Sequence, residues 1–460
     1  MKTVFLKYFF TCVLICVSLV QYVEAQQWYV VDSIIISGNQ KTVPEIILDE
    51  LEFAKGDTIT QELLEASIRH SENKLRLLGL FNFTDIAYSV NGSSVSVFIS
   101  LVERWYLWIY PIFELADQNF DTYFFNRQWE RLNYGVSFEK HNVLGRNLLL
   151  KAKIRFGYKE QYSIYFSNPG SFRRKSFGYW AGGDFFRKKE IVAGFRDYMP
   201  VYESSEPNYL YHQFGVQAGV SYRVFYNSVC KAKLAYHNFY RNTWCTPDRL
   251  NLSENEFSCT EFSIKFEHDT RNNKYFPTSG FFAGAEITQY GIPFTDTDKW
   301  INQTVFNAEA NVFFQFSQRF FTGIETMALL HHSKNTSIPL GLYRSLGYET
   351  YLRGADNFVL NSEIYLLCKS SFRYAVFREL YKELNLLKLE QFDKIHYELF
   401  LTAFADLGYV KNYNIVAGLG AGFELVTYYD RVLSVYYAYN NLTEKFNIFV
   451  QFKTPILKQY

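Results

Sequence analysis

The chain has 460 residues, with 47 Lys and Arg against 46 Asp and Glu, so its formal net charge is +1. That balance excludes a nucleic-acid binder, which needs a concentrated basic surface for phosphate contacts. Aromatic residues make up 19% of the sequence and there are only 10 prolines, which excludes a disordered chain and favours β-strands.

Residues 1–25 have the layout of a secretory signal peptide. Lys2 and Lys7 precede an apolar run from Tyr8 to Val20, and Val23-Glu24-Ala25 stands before the expected cut. The run is short for a span of about 20 residues. No later run reaches about 18 apolar residues, so no transmembrane helix is expected.

Residues 28–103 read as a small α+β unit in the order β-α-α-β-β. "WYVVDSIIISGN" is strand-like and ends in a turn at Gly38 and Asn39. "TVPEIILDELEF" has Pro44 suited to a first helical turn, with Ile46, Ile47 and Leu51 on one face. After a break at "KGDTIT", Leu64, Ile68, Leu75 and Leu78 recur at helical spacing. Two alternating strands then meet at the Asn91-Gly92 turn.

From Trp105 onward a period of two prevails. In residues 215–225, Val216, Ala218, Val220, Tyr222 and Val224 take one side, and Gly215, Gln217, Gly219, Ser221 and Arg223 the other. Sixteen candidate strands follow: 106–116, 132–143, 147–157, 161–168, 177–187, 211–225, 229–241, 259–269, 281–291, 303–316, 320–332, 359–369, 396–410, 415–427, 432–440 and 445–453. A soluble sandwich hides its apolar face inside, whereas a membrane barrel shows that face to lipid. The even count, Tyr and Phe near strand ends and the signal peptide favour the barrel, which alone pairs every strand edge in lipid. Residues 377–392 carry Phe377, Leu380, Leu384 and Leu387 at helical spacing; an amphipathic helix and an irregular strand extension both suit them.

Four cysteines remain after residue 25. Cys245 and Cys259 flank a polar stretch and suit either a disulfide in an oxidising compartment or two isolated small hydrophobes. His331-His332 is not a metal pair, because neighbours in a strand point to opposite faces. No nucleophile–base spacing and no phosphate-binding glycine loop appears, so neither an enzyme, a metal nor a cofactor is expected.

Several stretches converge on one family. Residues 28–103 resemble a POTRA domain through "SGNQKTV" (Gly38, Asn39), "GDTIT" (Gly56, Asp57), "RLLGLF" (Gly79, Phe81) and "LVE". Residues 105–460 resemble the barrel of the BamA/TamA family of outer-membrane proteins, the bacterial surface antigens. The carrying motifs are "EKHNVLGRN", "HDTRNNKYFPTSG" (Asp269, Arg271, Pro277, Gly280), "LRGADNFVLNSEI" (Arg353, Gly354) and "FADLG" (Asp406). Three features depart from the pattern. Ala355 stands where the family has an aromatic residue, "TPILKQY" follows the last strand, and one POTRA unit is present.

The resemblance implies a 16-stranded all-β transmembrane barrel in the bacterial outer membrane, preceded by a small α+β POTRA domain in the periplasm. It implies insertion, assembly or translocation of proteins, with a gated channel or a two-partner-secretion-like transporter as the alternative. Implied partners are outer-membrane lipid, unfolded outer-membrane or secreted polypeptides bound through the POTRA domain, and periplasmic accessory proteins. By alternation Thr402, Phe404, Asp406 and Gly408 face the lumen. The same rule puts Asn361 and Glu363 on the lumen side and Leu360, Ile364 and Leu366 on the lipid side. The family's loop enters the barrel, which implies that Arg353 pairs with Asp406 with Glu363 nearby, a guanidinium fork on a carboxylate.

Overall fold

The computed structural model describes residues 27–115, 132–170, 177–196, 199–204, 209–225, 227–241, 256–291, 302–333, 346–347, 352–355, 358–360, 362–383, 394–427, 431–442 and 444–453. The expected signal peptide lies outside the described residues. The described chain divides into two compact units, residues 27–40 with Glu50–Glu103, and Lys41–Asp49 with the residues from Arg104 onward. No described helix is long and apolar enough to cross a membrane.

The first unit is built on a four-stranded sheet of β1 (Trp28–Ser37), β2 (Thr58–Thr60), β3 (Phe81–Asn91) and β4 (Ser94–Glu103), in the order β2-β1-β4-β3. β1 runs parallel to β4, and β3 and β4 form an antiparallel hairpin. The short helix α1 (Pro44–Leu48) belongs to the stretch grouped with the second unit. The longer α2 (Gln61–Leu77) starts at Thr60, whose hydroxyl accepts from the Leu63 amide at 3.4 Å. Its Leu64, Ile68 and Leu75 are buried, as are Val95, Val97, Ile99 and Leu101 of β4. Burying each such side chain contributes about 1.5–3 kcal/mol. Gly38 follows β1 at φ +85°, where a Cβ would lie 1.8 Å from the Leu101 carbonyl oxygen. Only glycine lets β4 pass that close. Gly56, Asp57 and Gly79 are turn residues too: the Gly56 amide donates to Val31 O at 2.8 Å, Asp57 Oδ2 accepts from the Ala54 amide at 2.7 Å, and Gly79 follows α2. Phe81 is fully buried at the start of β3.

The second unit contains a 16-stranded antiparallel sheet. Its strands begin with β5 (Leu107–Leu115), β6 (Leu132–Val143), β7 (Leu148–Gly157), β8 (Lys159–Asn168) and β9 (Phe177–Lys188). A separate hairpin, β10 (Glu190–Arg196) with β11 (Met199–Ser204), intervenes, and β9 pairs directly with β12 (Tyr211–Phe225). Next come β13 (Ser228–Arg241), β14 (Glu256–Asp269), β15 (Gly280–Tyr290), β16 (Gln303–Gln315) and β17 (Phe320–Ser333). The last are β18 (Ile364–Glu383), β19 (Lys394–Val410), β20 (Asn414–Thr427), β21 (Arg431–Asn440) and β22 (Lys445–Lys453). Phe239 of β13, Leu329 of β17 and Val416 of β20 share one buried cluster, so the sheet curls around an interior.

Alternation along the strands is inverted relative to a soluble protein. On β19, Leu401, Ala403, Ala405, Leu407 and Tyr409 are exposed, while Thr402, Phe404, Asp406, Gly408 and Val410 are buried. A belt of large apolar side chains faces outward, including Ile164, Phe177, Val220, Leu234, Leu401 and Ile448. Such an apolar exterior around a polar interior belongs in a bilayer. Each strand pairs with its neighbour in the sheet, but no ladder joins β5 to β22 among the described residues.

Two segments differ from expectation. The strand expected at 359–369 begins at Ile364 and runs to Glu383, so residues 377–383 are strand and not helix. Register shifts fall between Ala375 and Phe377 and between Phe377 and Leu380. The second sets three residues of β18 against two of β19, which produces the i, i+3 apolar spacing that resembles a helix. Residues 384–393 lie outside the described residues. The β10–β11 hairpin has no counterpart in the sequence reading. Cys259 carries a free, buried thiol on β14, and Cys245 lies outside the described residues, so the structure gives no disulfide between them.

Candidate functional site

The segment between β17 and β18 returns into the barrel. Leu346 and Leu360 bridge each other through paired backbone bonds of 3.2 and 2.8 Å, and the Ala355 amide closes a tight turn on Leu352 O at 2.9 Å. Arg353 stands at this tip with 8% of its surface exposed, facing Asp406 at 1%. Arg353 Nε donates to Asp406 Oδ2 at 2.8 Å and Nη2 to Oδ1 at 2.6 Å, and the Arg353 amide adds a bond to Oδ2 at 3.1 Å. Two more guanidinium donors are used: Nη1 reaches Ser371 Oγ at 3.0 Å and Nη2 the Ser370 carbonyl at 2.9 Å. The guanidinium lies 4.2 Å from the Phe404 ring centroid. A planar fork satisfied on a buried carboxylate and laid on an aromatic face is a site for arginine, not lysine.

Small residues make room for this tip. A Cβ on Gly418 would come within 2.0 Å of the Arg353 carbonyl oxygen. Gly354 takes φ +92°, and its carbonyl accepts from Asn440 Nδ2. Leu352, Ala355, Phe358 and Leu360 pack with Tyr365 and Val416 in the main interior cluster. Ala355, one of the departures from the family pattern, is itself buried.

Glu363 is elsewhere. Its carboxylate is exposed and takes Lys411 Nζ at 2.8 Å, a hydrogen bond that lowers the Glu363 pKa. The partners that complete Arg353 are Ser371 and the Ser370 carbonyl. Leu360, expected to face lipid, is buried in the loop bridge, because the strand starts four residues later. Asn361 lies outside the described residues.

The turn from Asp269 to Gly280 closes on itself. Arg271 grips Asp269 through Nε and Nη2 at 2.8 Å each, and its guanidinium lies 4.5 Å from the Phe282 ring. Asn272 Oδ1 accepts from the Thr278 and Ser279 amides at 3.0 and 3.2 Å. The turn is also held from the barrel interior, by a second buried arginine that sequence reading missed. Arg373 Nη1 donates to the Pro277 carbonyl at 3.2 Å while its Nε bonds Glu424 Oε2 at 2.8 Å. Thr402 and Tyr436 donate their hydroxyls to the same carboxylate at 2.7 and 2.6 Å. Phe276 lies under the Arg373 guanidinium at 4.5 Å and against Phe400 at 4.8 Å. Arg373 shares a strand face with Ser371, but its carboxylate partner comes from β20 and that carboxylate's other donors from β19 and β21, and only the register brings them together.

No group of His, Cys, Asp and Glu that would hold a metal ion occurs among the described residues. His331 is buried and His332 exposed, on opposite faces of β17. The arrangement holds segments in place.

Residues 29–104 match the POTRA family, described as a surface antigen variable number repeat, and residues 142–362 match the Omp85 superfamily domain. No curated protein sequence matches the chain. Among solved structures, BamA from Haemophilus ducreyi lacking POTRA domains 1–3 is similar at 13% identity and TM-score 0.51, over 92% of this chain and 84% of that one. CdiB from Escherichia coli is similar at 10% identity and TM-score 0.58, over 92% and 75%. CdiB from Acinetobacter baumannii is similar at 12% identity and TM-score 0.52, over 93% and 73%. At these identities the likeness is one of fold.

Proposed function

Because the chain belongs to the Omp85 superfamily and carries one POTRA domain ahead of its outer-membrane barrel, we propose that it inserts or translocates polypeptides by opening its wall at the β5–β22 seam. The observation that carries this reading is that no ladder joins those two strands among the described residues. An unpaired sheet edge in lipid is costly and is a template for an incoming strand. A client strand adds to the β5 edge by backbone hydrogen bonds, and successive strands follow. In the POTRA sheet, β2 and β3 are the outer strands, and an extended client or accessory segment adds there by the same chemistry. Arg353 and Asp406 act as a latch that keeps the loop inside the barrel and stiffens β18 to β20 while the seam moves. No bond is made or broken, so the chain acts without a catalytic residue.

The test is folding of a urea-unfolded outer-membrane barrel into liposomes with and without the protein. The reading expects faster client folding at a rate that depends on seam mobility. An unchanged folding rate alongside solute conductance contradicts it.

A second reading, a gated channel or a two-partner-secretion-like transporter, draws on the charged interior. Lys233 pairs with Glu261 and Lys231 with Glu267, each at 2.5 Å, and His237 bonds Glu261 at 2.9 Å. Such a wall suits a wet passage once the loop withdraws. Conductance that rises on Arg353→Ala, with client folding unchanged, favours that reading.

A further inference from the structure

The ladder on the inner side of β5 fixes which way each of its backbone groups points. The His141 amide donates to Tyr106 O at 2.8 Å, in the register that sets Leu107 opposite Lys140 and Pro111 opposite Val136. Hydrogen-bonded pairs in an antiparallel ladder occur at every second residue. Tyr106, Trp108, Tyr110 and Ile112 therefore bond β6, and Leu107, Ile109, Pro111, Phe113 and Leu115 direct their groups to the seam. The next ladder agrees: the Tyr158 amide donates to Leu132 O at 3.1 Å, so even residues of β6 serve β7 and odd ones β5. By the same logic, the Asn441 amide on Ala417 O at 3.1 Å leaves Phe446, Ile448, Val450 and Phe452 of β22 facing the seam.

Pro111 is thus at the middle of the free edge, at a seam-facing position, and it has no N–H. The gap between the Ile109 and Phe113 amides spans four residues, about 13 Å without a donor. At the start of the same edge the Leu107 carbonyl is already taken, by the Trp105 indole N–H. A β22 strand zipped onto β5 would leave a carbonyl unpaired opposite Pro111, within the membrane. Proline is placed in edge strands where its missing donor faces outward, and here outward is the β5–β22 junction, where no ladder occurs among the described residues.

We propose that Pro111 is a positioning residue of the seam, which prevents β5 and β22 from zipping into a closed wall and leaves two short pairing segments for an incoming strand. Its consequence for clients rests on the reading above; its effect on the seam does not.

The experiment is disulfide trapping in liposomes, on the full chain with Cys230, Cys245, Cys259 and Cys368 changed to Ala. Phe113→Cys is combined in turn with Phe446→Cys, Ile448→Cys and Val450→Cys, all outward side chains. With Pro111 present, cross-links are slow and spread over several partners. With Pro111→Ala, one partner dominates and its yield rises at least about fivefold, the equivalent of one regained hydrogen bond. Adding Ile109→Pro to Pro111→Ala withdraws a donor from the same edge and restores the spread. Adding Ile112→Pro instead breaks the β6 ladder and does not restore it. The proposal is overturned if Pro111→Ala leaves the partner spread unchanged, or if Ile112→Pro reopens the seam as Ile109→Pro does. A closed seam with undiminished client folding supports the role of Pro111 and refutes strand templating.

Discussion

Asp406→Ala tests the interior latch. The substitution strips Arg353 of three of its five hydrogen bonds, those from its amide, Nε and one from Nη2, and leaves a buried guanidinium without its counter-charge. Removing one partner of a buried, hydrogen-bonded ion pair costs about 3–5 kcal/mol. Ser371, the Ser370 carbonyl and Phe404 still hold the guanidinium, so the lower end, about 3 kcal/mol, is the working figure, or a shift of about 100-fold in loop docking. A specific protease site placed just before Leu352 reads this shift, because cleavage tracks the undocked population when docking is fast. The cleavage rate should rise about 100-fold in Asp406→Ala, and less in Asp406→Asn, whose amide keeps one acceptor oxygen. A rate within about threefold of the parent would refute the latch energetics.

Three other outcomes are expected. Glu424→Ala removes the acceptor of Arg373, Thr402 and Tyr436 together, so thermal unfolding of the barrel in detergent should show a loss of about 3 kcal/mol, with faster hydrogen exchange in residues 270–280. Gly38→Ala sets a methyl group against the Leu101 carbonyl and should destabilise the small sheet by about 2 kcal/mol or more, read as lost exchange protection in β1 and β4 of the full chain. The lowered pKa of Glu363 means that its bond to Lys411 adds stability above the ordinary carboxylate pKa of 4.5 and loses it as pH falls through the folded value. Lys411→Met should return the Glu363 titration to the ordinary range in an NMR titration, and an unchanged titration would contradict the pairing.

Period-two alternation made the wall legible from sequence: on β19 it separates Leu401 and Leu407 from Thr402 and Asp406 without any structure. What it cannot carry is anything decided across strands. Arg373 reads as one more polar inward residue until β20 brings Glu424 to it, with Thr402 of β19 and Tyr436 of β21 bonded to the same carboxylate. Glu363 keeps the alternation of its neighbours, yet β18 begins at Ile364, so no strand fixes the side its carboxylate takes. The bulged stretch at Phe377 and Leu380 imitates a helix because a bulge adds one residue to a period of two. Pro111 is visible in the sequence, but whether its missing donor faces β6 or the seam follows only from the ladder register.

Strand capture at the seam is the most direct test of the account. A photo-cross-linking side chain is placed at Ile109 or Ile448, on the two sides of the seam, or at Lys233 in the interior, and irradiated while a client barrel folds. Adducts between client strands and the Ile109 and Ile448 positions, and none at Lys233, are predicted. Adducts confined to Lys233 would mean that polypeptide passes through the interior, and that the wall does not open where the ladder is missing.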